Sequence, residues 1–333
     1  MIAFSQNLDK TRLIGRIDPG GSSGPVLYYA GSYLSARFRG SVLRLNVSDE
    51  GGWNERANEV GFVVDGELSI CPLIKGGARQ TLEVVCGPGE HDLEIYKLQG
   101  PGNGRGSLTL HGLDLGLDGE LLPPPTLPAR KLEAYGDSVT EGEGSLCAEG
   151  THDCGANSGW HSYTNRLARA LGVQVHNNGV GGLAVRDHTG WYESGETGLE
   201  TTFDKLNPCG PDKTSWDFAR YTPDLVLMAM GVNDQSKHGF DDLPLWKETY
   251  KRIVREIHAR HGGGDLPFLF AVAPINVQEA YRNVAEVVAE LKADGLNAWF
   301  YRYGFEVNGH PNRPESERMA RELQKFIREN RLI

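Results

Sequence analysis

The chain has 333 residues, 39% hydrophobic and 23% charged. That length is long for one ordinary core and favours two soluble domains, and no apolar run approaches the roughly 18 residues of a membrane span. A net charge of −10 argues against nucleic acid or an anionic membrane surface as a partner, since both would repel it.

The first residues, Met1-Ile2-Ala3-Phe4-Ser5-Gln6-Asn7, hold neither the basic nor the apolar region of a secretory signal. The expectation is a cytoplasmic protein, or a secreted one if a signal was trimmed. Up to about residue 125 the pattern is all-β. Short runs such as Ala36-Arg37-Phe38, Val42 to Val47, Gly61 to Val64, Gln80 to Val85 and His91 to Lys97 are separated by Asp65-Gly66, Gly76-Gly77 and Gly87-Pro88-Gly89. Strands at this spacing predict a β-sandwich or jelly roll. Asp65-Gly66 reads as a hairpin turn and Gly87-Pro88-Gly89 as a separating turn. The proline-rich stretch Glu120 to Pro128 cannot join a sheet ladder and stiffens the backbone. It puts the boundary between a domain over 1–125 and another over 126–333, and predicts that the two hold a fixed relation.

Beyond it, strands alternate with helices, the sign of a mainly parallel sheet covered on both faces. The predicted strands are Lys131 to Tyr135, Val173 to Asn177, Asp224 to Met230, Leu266 to Val272 and Ala298 to Tyr301. The predicted helices include one carrying Trp160, Tyr163, Leu167 and Leu171, and others over Pro244 to Arg260, Val277 to Ala293 and Pro314 to Arg328.

The first of these strands runs into Gly136-Asp137-Ser138-Val139-Thr140-Glu141-Gly142. A serine at a strand's carboxyl end occupies the ligand edge of an open α/β sheet, so Ser138 is a candidate nucleophile, with helix capping as its plainer role. Its hydroxyl needs a base. His310 follows the last strand in Val307-Asn308-Gly309-His310-Pro311 and should share that sheet edge. His258 and His261 fall at a helix end, where solvation suits them. His152, His161, His176 and His188 lack a strand-end setting. Oxyanion donors have two sources, the glycine loop Asn177 to Gly182 and Asn233 in the loop after the third strand. Asp234 would hold that loop through backbone bonds. Trp191 and Trp216 are candidate sugar platforms, while Trp246 fits a helix core stripe. The five cysteines, at 71, 86, 147, 154 and 209, lack zinc-ribbon spacing, and no metal is expected. Cys147 and Cys154 could bridge one loop, with free or buried thiols as the favoured expectation.

The order Gly-Asp-Ser, glycine, Gly-x-Asn-Asp and His-Pro resembles the SGNH (GDSL-type) hydrolase superfamily over roughly residues 131–333. With the β-domain before it, the chain resembles the carbohydrate esterase family 2 acetylesterases, through Phe38-Arg39-Gly40-Ser41 and His91 to Lys97. The resemblance implies a flavodoxin-like catalytic domain with no cofactor, in which Ser138 is the nucleophile and His310 the base. The Ser138 N–H, Gly182 and Asn233 would form the oxyanion hole. It implies deacetylation of an acetylated carbohydrate. The aspartate that such families place shortly before the histidine is absent, the positions being Val307 and Asn308. This predicts a Ser–His dyad with Asn308 or a main-chain carbonyl orienting His310. Two further readings stay open: a short-chain lipid or thioester hydrolase, and a carbohydrate-binding protein with a degenerate site.

Overall fold

The computed structural model describes residues 2–333 apart from 21, 53, 77–78, 209–213, 239 and 276–277, so Cys209 and the expected helix start at Val277 lie outside the described residues. Two compact units divide the chain, Met1–Leu127 and Pro128–Ile333.

In the first unit, alternation along the chain decides which face of a strand is buried. Leu43, Leu45 and Val47 point inward and are fully buried, while Arg44 between them faces out and pairs with Glu83 at 2.6 Å. The result is a curled, ten-stranded antiparallel sheet around a core that includes Phe4, Leu34, Phe38, Phe62 and Ile95. Asp65 and Gly66 join strands Glu59–Val64 and Glu67–Pro72 with φ of 52° and 89°, as a two-residue hairpin turn requires.

The sequence expectation failed at Gly87-Pro88-Gly89. The runs on either side belong to one strand, Gln80–Lys97, which pairs with the equally continuous Tyr33–Asp49. Gly40 pairs with Gly89, and Val42 with Val85. The register shift leaves Pro88 in a bulge, where its missing N–H breaks no ladder bond.

The second unit holds the expected alternation. Its strands are β1 (Lys131–Gly136), β2 (Gln174–Gly179), β3 (Leu225–Ala229), β4 (Phe268–Phe270) and β5 (Ala298–Phe300), all parallel, in the order β2-β1-β3-β4-β5. This is the flavodoxin-like order. The helices are α1 (Ser138–Glu141), α2 (Tyr163–Leu171), α3 (Leu199–Thr202), α4 (Val232–His238), α5 (Leu243–Arg260), α6 (Gln278–Ala293) and α7 (Arg313–Asn330). Trp160 falls outside α2, in a preceding 3-10 turn, Gly159–His161. Every residue of β3 is buried, because helices cover both faces of a central parallel strand.

His261 departs from expectation. Its side chain is fully buried and its Nε2 lies 2.7 Å from Glu133 Oε2 on β1. The carboxylate inside the sheet replaces the water that a helix end would otherwise supply.

Leu227, fully buried at the centre of β3, tests the weight of this core. Leu227→Ala should lower the unfolding free energy by about 2–5 kcal/mol, read from the urea midpoint of the second unit's transition.

Candidate active site

The sheet register brings the candidate residues to one edge. Gly136 at the end of β1 pairs with Gly179 on β2 and with Ala229 on β3. The chain then turns tightly into α1, and a Cβ at Gly136 would meet Thr140 Oγ1 at 2.0 Å. Asp137 caps α1, its Oδ1 accepting from the Val139 N–H at 3.1 Å. Ser138 is thus the first helical residue, with an N–H that has no intrahelical acceptor.

His310 enters from the loop between β5 and α7. Asn312 caps α7 through a reciprocal capping box with Glu315, its Oδ1 accepting at 3.2 Å and its N–H donating at 2.9 Å. The Val307 N–H donates to the Pro274 carbonyl at 2.7 Å. Held at both ends, the loop places His310 Nε2 2.8 Å from Ser138 Oγ.

The other ring nitrogen corrects the expectation. Asn308 does not face it. Alternation buries Val307 and turns Asn308 out to solvent. Nδ1 instead bonds to Asp153 Oδ1, which also accepts from the His310 main-chain N–H at 3.3 Å. A carboxylate only accepts, so Nδ1 carries the proton and Nε2 is free to accept from Ser138. The arrangement is a Ser–His–Asp triad in place of the expected dyad, with its acid 157 residues before its histidine. A search confined to carboxylates beside the histidine misses it. The usable signals were Gly309, where a Cβ would meet Asp153 Oδ2 at 2.5 Å, and the flanking cysteines. Cys147 and Cys154 are not free thiols but a disulfide, with Cα atoms 5.9 Å apart. The turns around Gly142 and Ser158 bring the ends of their loop together.

Carboxylates set the electrostatics. Burial disfavours the charged form of His310, but Glu143, Asp153 and Asp137 together outweigh it and hold the imidazole above its usual pKa. Glu143 Oε2 lies 3.5 Å from Nε2. Burial also pushes Asp137 up to about 7, against the opposing Val139 N–H. Asp234 is pushed up to about 6 by burial, although Val185 N–H and Trp246 Nε1 donate to it.

The glycine loop after β2 distinguishes its members. Gly179 N–H donates to Asn177 Oδ1 at 3.0 Å and Gly181 N–H to Glu141 Oε2 at 2.5 Å. The Gly182 N–H has no acceptor among the described residues, and Gly182 adopts φ of 79°. Asn233 sits in the first turn of α4, not in a loop. Its Nδ2 donates to the Leu183 carbonyl at 2.9 Å, which fixes the amide and leaves its second N–H available. Asp234 fastens the same segment through Val185 at 3.0 Å.

The two candidate platforms separate. Trp191 is 55% exposed and adjoins Gly182, whose carbonyl accepts its N–H at 2.7 Å. Lys237 Nζ lies 4.8 Å from its ring centre. Trp216 is 4% exposed and packs on His176 and Arg220. Burial removes it as a platform.

A hydroxyl against a neutral imidazole, itself oriented by a carboxylate, can attack an acyl carbon. An alkyl fluorophosphonate should therefore label Ser138 once, read by peptide mass spectrometry. A label at another serine, or one surviving Ser138→Ala, would contradict this placement.

Comparison with known proteins adds to this geometry. The GDSL-like lipase/acylhydrolase family matches residues 134–329, and the carbohydrate esterase 2 N-terminal domain matches 13–125. An acetylxylan esterase / glucomannan deacetylase from Cellvibrio japonicus is 28% identical, over 96% of this chain and 88% of that protein. A cellulase/esterase from Acetivibrio thermocellus is 25% identical over 94% of this chain, which spans only 39% of it. The solved structure of a family two carbohydrate esterase from Cellvibrio japonicus superposes with a TM-score of 0.83 at 26% identity, covering 98% of this chain and 96% of that one.

Proposed function

Since the chain belongs to the GDSL-like lipase/acylhydrolase family and carries a carbohydrate esterase 2 N-terminal domain, we propose that it removes O-acetyl groups from a carbohydrate through an acyl-enzyme. It is a carboxylic ester hydrolase. The observation that carries the mechanism is His310, with Ser138 Oγ 2.8 Å from one ring nitrogen and Asp153 on the other.

Ser138 Oγ attacks the acetyl carbonyl as its proton passes to His310 Nε2. The imidazolium so formed is stabilised by Asp153 through the Nδ1 proton, and by Glu143 beside Nε2. The carbonyl oxygen gains negative charge, which the N–H groups of Ser138 and Gly182 and the Asn233 amide receive. His310 returns the proton to the departing sugar oxygen, and the alcohol leaves. Water then gives a proton to His310 and attacks the acetyl-enzyme. Collapse of that second adduct frees acetate and restores the Ser138 hydroxyl. The serine proton leaves with the sugar alcohol and a proton from water replaces it on Ser138, so the ester and water are the only reactants.

The carbohydrate part of the reading draws on the relative named for acetylxylan and glucomannan, matched along 96% of this chain. Trp191 supports it from the structure, since an exposed indole beside the oxyanion glycine suits the apolar face of a sugar. Asp153 removes the motive for a degenerate, non-catalytic site.

A series of aryl esters of increasing acyl length tests this directly. Acetate should be the best acyl group, Ser138→Ala should lower kcat by roughly 10⁵–10⁶, and acetate should be released from acetylated xylan or glucomannan. Rates that climb with chain length would favour a lipid or thioester hydrolase instead.

The pH profile follows from the carboxylates. The base works only when neutral, so activity falls as pH drops through the pKa of His310, and its raised pKa moves that acid limb up from the ordinary histidine value. The charge of Glu143 is the largest single influence raising it, and Asp153 adds both a hydrogen bond and its charge. Glu143→Gln should move the acid limb of kcat/KM to lower pH, and an unmoved limb would show that Glu143 does not act on the base.

A further inference from the structure

Asp153 reaches His310 under unfavourable terms. Its side chain is 55% exposed, where water and salt screen an ion pair and side-chain entropy opposes it. Its backbone sits at φ of 51°, a left-handed conformation that few non-glycine residues adopt, although aspartate does so more readily than most. Between Cys147 and Cys154 the main chain makes one internal turn among the described residues, Thr151 N–H to the Ala148 carbonyl at 3.0 Å. Such a segment has little of its own to hold its shape.

The two cysteines differ in their anchorage. Cys147 is 1% exposed, and its carbonyl accepts from the Arg313 N–H at 3.0 Å. That ties it to the start of α7, three residues beyond His310. Cys154 is exposed and directly follows Asp153. The disulfide therefore fastens the free end of the loop, where the acid sits, to the end already fixed beside the histidine. His152, on the other side of Asp153, adds a bond from Nδ1 to the His310 carbonyl at 3.0 Å, and Gly309 leaves the gap into which Asp153 fits.

We propose that the Cys147–Cys154 disulfide is the positioning element of the triad, and that a dithiol reductant lowers the esterase rate by releasing Asp153 from His310. The inference rests on Asp153 being the acid partner in the mechanism above. In the redox step, one thiolate of the reductant attacks the exposed Cys154 sulfur and Cys147 leaves as a thiolate, which is then protonated. The second thiolate of the reductant attacks the mixed disulfide and Cys154 leaves in turn. Two electrons pass to the protein's sulfurs, and the reductant ends as its own disulfide. Oxidising compartments preserve such a bond and reducing ones open it, so the surroundings would set the activity.

The test uses the full chain, oxidised and after dithiothreitol, with aryl acetate as substrate, and the same pair of measurements on Asp153→Ala and on Cys154→Ser. In the wild type, reduction should lower kcat by about tenfold to a hundredfold with KM little changed, as expected for a misplaced catalytic group, and should shift the acid limb of the pH profile downward because the base loses a carboxylate. Reoxidation should restore both. Cys154→Ser should match the reduced wild type, while Asp153→Ala should be slow and indifferent to reduction. An equal fall on reduction in Asp153→Ala would mean that the bond supports the fold at large, and would overturn the proposal. So would a slow Asp153→Ala beside a wild type unaffected by reduction. A fully active Asp153→Ala would instead remove the triad on which the proposal rests.

Discussion

The hydrogen-bonded register that sets Gly136 between Gly179 and Ala229 is the constraint on which the rest of the site depends. Parallel strands present their carboxyl ends together, so the three chains leaving those positions emerge side by side. One carries Ser138, the next Gly182 and the third Asn233. The Asn233 bond to Leu183 and the Asp234 bond to Val185 then cross-tie the second and third segments. The proposed oxyanion donors are thereby fixed to a sheet buried on both faces. Preorganisation of this kind lets donors stabilise a developing charge without moving to meet it.

The proposed base and acid are held differently. Neither His310 nor Asp153 belongs to a strand or helix. The capping box of α7 fixes one side of the histidine loop and the Val307–Pro274 bond fixes the other. Around the imidazole stand Glu143, Asp153 and the buried Asp137, and their combined field favours the protonated ring against the opposing effect of burial. In the proposed mechanism, the field that makes the resting base harder to deprotonate also stabilises the imidazolium once it takes the serine proton. The balance between those two effects is how an active site matches a base to its working pH.

Much of this was legible in the amino-acid order because it depends on periodicity and strand ends. The β3 run from Leu225 to Ala229 reads as a doubly covered strand, and the blocks after each strand fall in the order the sheet needs. What stayed hidden depends on contacts between distant parts of the chain. Asp153 lies in a loop with no periodic pattern, and beside His310 only Gly309 hints at it, with no sign of what fills the space it leaves. Gly87-Pro88-Gly89 carries every mark of a turn, yet a bulge opposite Gly40 accommodates it within one long strand. His261 reads as a solvated helix end because its partner Glu133 belongs to a strand 128 positions earlier. Trp191 and Trp216 are the same residue type in similar polar stretches of sequence, and it is tertiary packing, against His176 and Arg220 among others, that buries the second. Each miss is a tertiary contact overriding a local preference.

The position of the histidine loop between the last strand of the sheet and α7 has a further consequence for protein synthesis. A chain leaving the ribosome presents Ser138, then the glycine loop, then Asn233, while the imidazole 172 residues beyond the serine is still to be made. The sheet edge can form as those strands appear, since domains fold as units from the N-terminal side. The serine meets a proton acceptor only when α7 can dock and draw His310 to it. In the proposed mechanism, Ser138 therefore gains its base only when the fold is nearly complete.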